Sequence, residues 1–150
     1  MNIEAELIAH LASVMNGEAR MIEENCGQIE NLLNGQDQYP VDFPCILVSS
    51  PETEWKSLKP DVQRGSSTLV VSVAFRTYED TFNEKVHLTD TAERDNLVHR
   101  VALAVAAFRP SDNSGDCSTM TRVSSRGIAL AGGLKVYESV WAFRQTEYLS

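Results

Sequence analysis

Between Thr68 and Tyr78 the chain alternates so strictly that one extended strand is dictated. Leu69, Val71, Val73 and Phe75 fall on one side, and Val70, Ser72, Ala74 and Arg76 on the other. One side must be core. A second run, Lys135–Tyr148, places Tyr137, Trp141 and Phe143 on one side and Val136, Val140 and Ala142 on the other. With apolar groups on both sides, it is expected inside a sheet or continuing into an interface. Fully extended, the two runs would reach roughly 36 and 46 Å.

Two helices accompany them. In Asn2–Asn16, Ile3, Leu7, Leu11 and Val14 recur at spacings of three and four, widened by Ile8, Ala12 and Met15, and Gly17 ends the segment. The second helix is expected to start at Asp90, which has capping-box spacing to Glu93. Leu97, Val101, Ala104, Val105 and Phe108 form its stripe, and Pro110 stops it. That gives about 19 residues, or roughly 28 Å. Both strands outrun it, and typical strands have only about five or six residues. Either they bend at bulges or their ends project past the helices and offer unpaired backbone to another subunit.

The remaining segments are less sharply patterned. Ala19–Glu23 is short and extended, followed by a polar stretch to Gln38 anchored by Ile29, Leu32 and Leu33. The prolines of Tyr39–Pro44 force extended backbone before Cys45–Ser49, a short apolar strand. Pro51–Ser66 reads as a long polar connection holding Trp55 and Gly65, and Glu79–Thr89 as a second connection. Ser111–Asp116 is turn-rich, Ser118–Ser125 alternates weakly, and Gly132–Gly133 marks a hairpin turn. The order predicts one α+β domain over residues 1–150, with two main helices on one face of a mainly antiparallel sheet.

Charge narrows the function classes. Twenty-one acids against 13 bases give a net charge of −8. That disfavours nucleic-acid binding, which needs clustered Lys and Arg, and suits solubility or a basic partner. Cys26, Cys45 and Cys117 are odd in number and widely spaced, without zinc-site spacing, so reduced thiols in a cytoplasm are expected. The acidic start Met1–Glu6 is unlike a signal peptide, and no 18-residue apolar run suggests a membrane span.

Candidate chemistry is thin. Cys45, His99 and Asp95 can be assembled on paper into a Cys–His–Asp set, but Asp95 and His99 at i,i+4 also fit a surface pair worth a few tenths of a kcal/mol. Pro44, Ile46 and Leu47 around Cys45 fit a buried thiol. His87 with Asp90, or His10 with Glu6, each lack the third ligand that a metal site needs. Gly132–Gly133 has no phosphate-loop context. Neither a catalytic residue nor a cofactor or metal is expected. Trp55 is open between two roles, an interface anchor or a lid on the local core. Trp141 is expected in the core.

The runs Tyr39-Pro-Val-Asp-Phe-Pro-Cys-Ile-Leu-Val-Ser, Glu54-Trp-Lys and Gln63-Arg-Gly-Ser-Ser-Thr-Leu-Val-Val-Ser-Val-Ala-Phe resemble small prophage-encoded proteins. The element order is similar to the tail terminator and tail-completion proteins of long-tailed phages. The sequence likeness covers about residues 39–80 and the architectural one most of the chain. The resemblance implies a tail-terminator-like fold and a non-enzymatic protein forming a ring, typically hexameric, on the end of the tail tube. Its implied partners are copies of itself, the tail tube protein and a head-completion protein, in the bacterial host cytoplasm during assembly and then in the virion tail. It brings no catalytic residues. Candidate interface residues are Trp55, Gln63, Arg64, Tyr78 and Tyr148, on the Pro51–Ser66 segment and the ends of the two long strands. The alternatives are a small-ligand-binding or enzymatic domain built on Cys45, His99 and Asp95, and an accessory module of a contractile injection system.

Overall fold

The computed structural model describes residues 2–35, 41–77, 84–110 and 117–149, with residues 84–90 described through their backbone alone. The sheet is built on two 15-residue strands, β4 (Val62–Arg76) and β6 (Leu134–Tyr148), antiparallel from Val62↔Tyr148 to Arg76↔Leu134. Around them run β1 (Met21–Glu24), β2 (Cys45–Val48), β3 (Glu52–Lys59) and β5 (Thr121–Leu130). The strand order is β1-β2-β4-β6-β5, and β3 pairs with the stretch of β4 beyond β2. Only the β1–β2 pair is parallel among the described strands. The architecture is α+β, with a six-stranded, mostly antiparallel sheet.

Helices α1 (Ile3–Val14) and α3 (Glu84–Ala107) cover one face. Asn2 caps α1, its side chain accepting from the Ala5 N–H at 3.1 Å. The buried stripe of α1 is Ile3, Leu7, Leu11 and Met15, at spacings of four. Val14, expected in that stripe, is 53% exposed, because Met15 lies at the i+4 position that continues it and Val14 falls to one side. From α3, Leu97, Val101, Ala104, Val105 and Phe108 are buried against Ile46, Val48, Leu69, Val71, Val73 and Trp141. The two helices touch through His10, whose ring Nε2–H donates to the Ala104 carbonyl at 2.9 Å. That carbonyl is among the last four of α3, which have no partner inside the helix.

Three expectations are corrected. The helix does not begin at Asp90: its backbone is helical from Glu84, and Asp90 lies in the interior. Asp90 and Glu93 share the i,i+3 spacing of a capping box, but that spacing recurs at any two positions one turn apart on a continuous helix. At 24 residues α3 spans about 36 Å, still short of the ~50 Å that 15 extended residues reach. Pro51–Ser66 is not a loop: β3 and the first turns of β4 form a hairpin closed by Pro60–Asp61, a pair favoured in turns. β3 is polar on both sides because its residues are almost all exposed and no described element covers either side, so alternation does not betray it. The segment expected to be extended at Ala19–Glu23 is strand β1, and the polar stretch after it holds a short helix α2 (Gln28–Leu33). Finally, β5 extends to Leu130, past the expected Ser125, with a register shift between Arg122 and Ser124.

Helix α2 covers the opposite face. Ile29 joins Cys45, Leu47, Ala74, Leu134 and Val136 in a second, smaller core. Alternation on β2 separates the two cores, Ile46 and Val48 facing α1 and α3 while Cys45 and Leu47 face α2. The Gly132–Gly133 turn, both residues at positive φ, joins β5 to β6 as expected. Trp141 is buried, its Nε1–H donating to Ser139 Oγ at 2.8 Å. The Ser111–Asp116 turn, Tyr39–Pro40 and Tyr78 lie outside the described residues.

Candidate assembly surface

Past Ser49, the strand edge of β4 that β2 occupied passes to β3. From there to the turn, β3, residues 62–68 of β4 and residues 142–148 of β6 form a three-stranded ribbon. Seven residues of β4 give it a reach of about 23 Å. Every residue of β3 except Thr53 is exposed, and the outer edge of β3 has no strand partner among the described residues. This is the projecting end that the strand lengths called for.

Its local chemistry is specific. Gly65 sits opposite Trp55, and a Cβ added to Gly65 would lie 2.6 Å from Thr53 Cγ2 and 2.9 Å from the Trp55 ring. Glycine is therefore required for the indole to lie flat across β4. On the same side, Thr53 Oγ1 and Ser67 Oγ are 2.7 Å apart, and Gln145 Nε2 donates to both, at 3.3 and 3.1 Å. Ser67 is fully buried, and this cluster satisfies its hydroxyl.

Of the five candidate interface residues, Trp55, Gln63, Arg64 and Tyr148 are gathered on this ribbon and split between its faces. Trp55 and Gln63 lie on the side that faces the helices further down. Arg64 and Tyr148 lie on the other, at registers Lys56↔Arg64↔Thr146 and Val62↔Tyr148. Trp55 is 42% exposed, so it is neither a core lid nor free of the protein. Tyr78 lies outside the described residues.

Lys56, Leu58 and Arg144 also project here, which the sequence reading missed. The signals available were Pro60–Asp61 as a two-residue turn and Gly65 as a strand glycine under an aromatic. A groove of about 880 Å³ adjoins the ribbon, lined by Glu54, Ser66, Thr68, Thr121 and Arg144 among others.

The structure keeps the Cys–His–Asp set apart. Cys45 is fully buried in the α2-side core, whereas His99 and Asp95 are exposed on α3, across the sheet. Burial pushes the Cys45 thiol up to about 11, opposed by a hydrogen bond with the Ala74 backbone, so a reactive thiolate is disfavoured there. The cavity beside the α2-side core, about 50 Å³, is lined by Ile29, Leu47, Ile128 and Leu130 and does not include Cys45. His10 is engaged with α3, and the side chains of His87 and Asp90 lie outside the described residues. Among the described residues no three His, Cys, Asp or Glu side chains are grouped to hold a metal. No described helix is long and apolar enough to cross a membrane.

Fold and ribbon together define a small α+β protein with a projecting β-ribbon. The fold is that of a chain in the virion of a native gene transfer agent (GTA) particle, matched with a TM-score of 0.63 over 97% of this chain and 95% of that one, at 11% sequence identity. No family model and no curated protein matches the sequence.

Proposed function

We propose that this chain is a structural subunit of a phage-like particle, and that it acts as a tail terminator: copies form a ring, hexameric by analogy with the family it resembles, that caps the tail tube and joins it to the head. The observation carrying this reading is the end-to-end likeness of fold to a virion chain, across nearly the full length of both. The projecting ribbon, with its open strand edge, supports it, because such an edge is suited to a protein partner. The role is non-enzymatic. Separation of Cys45 from His99 and Asp95 removes the motive for an enzymatic alternative. In this reading the partners are the tube protein and a head-completion protein, and the protein passes from the host cytoplasm into the virion tail.

The test is sedimentation combined with negative-stain imaging, with and without tail tubes. Rings that grow with protein concentration and sit on tube ends are expected. Monomers at every concentration, with bare tube ends, would end the proposal.

A further inference from the structure

Charge is distributed unevenly along this acidic chain. Strands β3 to β6 hold eight of the 13 Lys and Arg residues but only four of the 21 acids. Residues 2–35 hold six acids and a single base, Arg20.

On the ribbon, the cations concentrate on the face turned away from α1 and α3. Lys56 and Arg64 sit directly opposite each other, and Arg144, opposite Ser66, is a diagonal neighbour of Arg64. All three are exposed. Like charges directly opposite on adjacent strands repel at Cβ separations of about 5 Å. Glu52 and Glu54 share the face, yet the ion pairs among the described residues are Arg100–Glu18 and Arg126–Glu138, and neither involves this group. The face thus carries a cationic excess that no ion pair among the described residues neutralises.

The complementary surface lies at the foot of the ribbon, on the β1–β2 side of the sheet. Glu24 is exposed on β1, an edge strand of the sheet, on the side of α1, while Glu23 alternates to the α2 side. Ser50 Oγ lies 3.1 Å from Glu4 Oε2 and 3.5 Å from Glu24 Oε1. A single hydroxyl proton cannot serve both carboxylates, and among the described residues no base forms an ion pair with either. The corner carries an acidic excess as plain as the cationic excess of the ribbon.

We propose that the cationic ribbon face, through Lys56, Arg64 and Arg144, docks on the acidic corner of a second copy, formed by Glu4 and Glu24. The inference rests on the ring reading above and names its contact. The two surfaces differ, so the contact is head-to-tail, the kind that closes into a ring when the rotation per subunit allows. Projection of the ribbon past the helical layer gives it the reach. A nucleic-acid partner is disfavoured, since three cations on a chain of net charge −8 release few counterions.

Charge exchange tests this by sedimentation velocity at about 50 and about 500 mM salt, a range over which exposed charge pairs become screened. The wild type is compared with Lys56→Glu/Arg64→Glu, with Glu4→Lys/Glu24→Lys, with an equal mixture of the two, and with all four changes in one chain. Circular dichroism melts confirm folding. Assembly of the wild type should weaken at high salt, each double reversal should weaken it about tenfold or more, and the mixture and the fourfold variant should both recover it. If the wild type assembles and the reversals change nothing, or if neither exchange recovers assembly, this contact is wrong and the ring reading stands. If the wild type never assembles, both fall. Binding of a labelled DNA duplex that Lys56→Glu/Arg64→Glu abolishes, with assembly untouched, would reassign the face to nucleic acid and overturn the proposal.

Discussion

Strands β4 and β6 each live in two environments. Over Leu69–Arg76 and Leu134–Trp141 they are sandwiched, with α1 and α3 on one face and α2 on part of the other, and Leu69, Val71, Val73, Ala74 and Trp141 are buried. Over Val62–Thr68 and Ala142–Tyr148 the same pairing continues without a helical cover, held by ladder hydrogen bonds, the Thr53–Ser67–Gln145 cluster and an indole lying on Gly65. Backbone pairing is continuous, but the hydrophobic contribution is concentrated in one half, with buried Phe143 carrying the core into the base of the other. At about 25 cal/mol per Å² of apolar surface buried, that half carries the stability and leaves the other free for contacts.

The comparison breaks most readily at matched leucines. Leu69→Ala, in the sandwiched half, should cost about 2–5 kcal/mol by lost burial and a residual cavity. Leu58→Ala, on the ribbon at 47% exposure, should cost under about 0.5 kcal/mol. Urea denaturation of both variants measures the contrast. Equal losses would mean that the ribbon is as much a part of the cooperative core as the sandwich.

Cys45 sharpens the same contrast through pH. Its folded pKa, about 11, lies above the ordinary thiol value of 9.0 because burial disfavours the thiolate. Stabilisation from keeping the thiol neutral is therefore complete below pH 9 and lost as pH rises toward 11. The loss is on the order of 3 kcal/mol if the core stays closed. Cys45→Ala should flatten that part of the stability–pH curve. At neutral pH iodoacetamide should label exposed Cys26 and leave Cys45 unmodified until the protein unfolds.

The two halves were not equally legible. Strict alternation in Leu69–Arg76 and the Leu97–Phe108 stripe report burial, so wherever a core exists the residues announce it. In β3, Glu52-Thr-Glu-Trp-Lys-Ser-Leu-Lys has no buried face, so its pattern resembles a loop and only the turn pair and Gly65 speak for a strand. Strand length against helix length did survive the error in both boundaries, because the overhang depends on a difference of more than 10 Å. Trp55 and Arg64 were singled out, but their placement on opposite faces needs the register, which requires knowing that β3 pairs with β4 at all. Lys56 and Arg144 become neighbours of Arg64 only across strands, so no local reading gathers them.

Gly65 offers the finest test, because it asks whether the ribbon is built or merely tolerated. A methyl group at this position meets Thr53 Cγ2 at 2.6 Å and the Trp55 ring at 2.9 Å. The indole, partly exposed, can tilt away, whereas Thr53 Cγ2 is fixed on a branched Cβ whose hydroxyl is tied to Ser67. Gly65→Ala should therefore cost about 1–2 kcal/mol, and the loss should appear as faster amide exchange in β3 with little change over Leu69–Arg76. Thr53→Ser removes the obstructing methyl and keeps the Oγ contact, so adding it to Gly65→Ala should recover roughly half of the loss. Uniformly faster exchange in both halves would show that the ribbon and the sandwich open together, and that the division between them is one of composition alone.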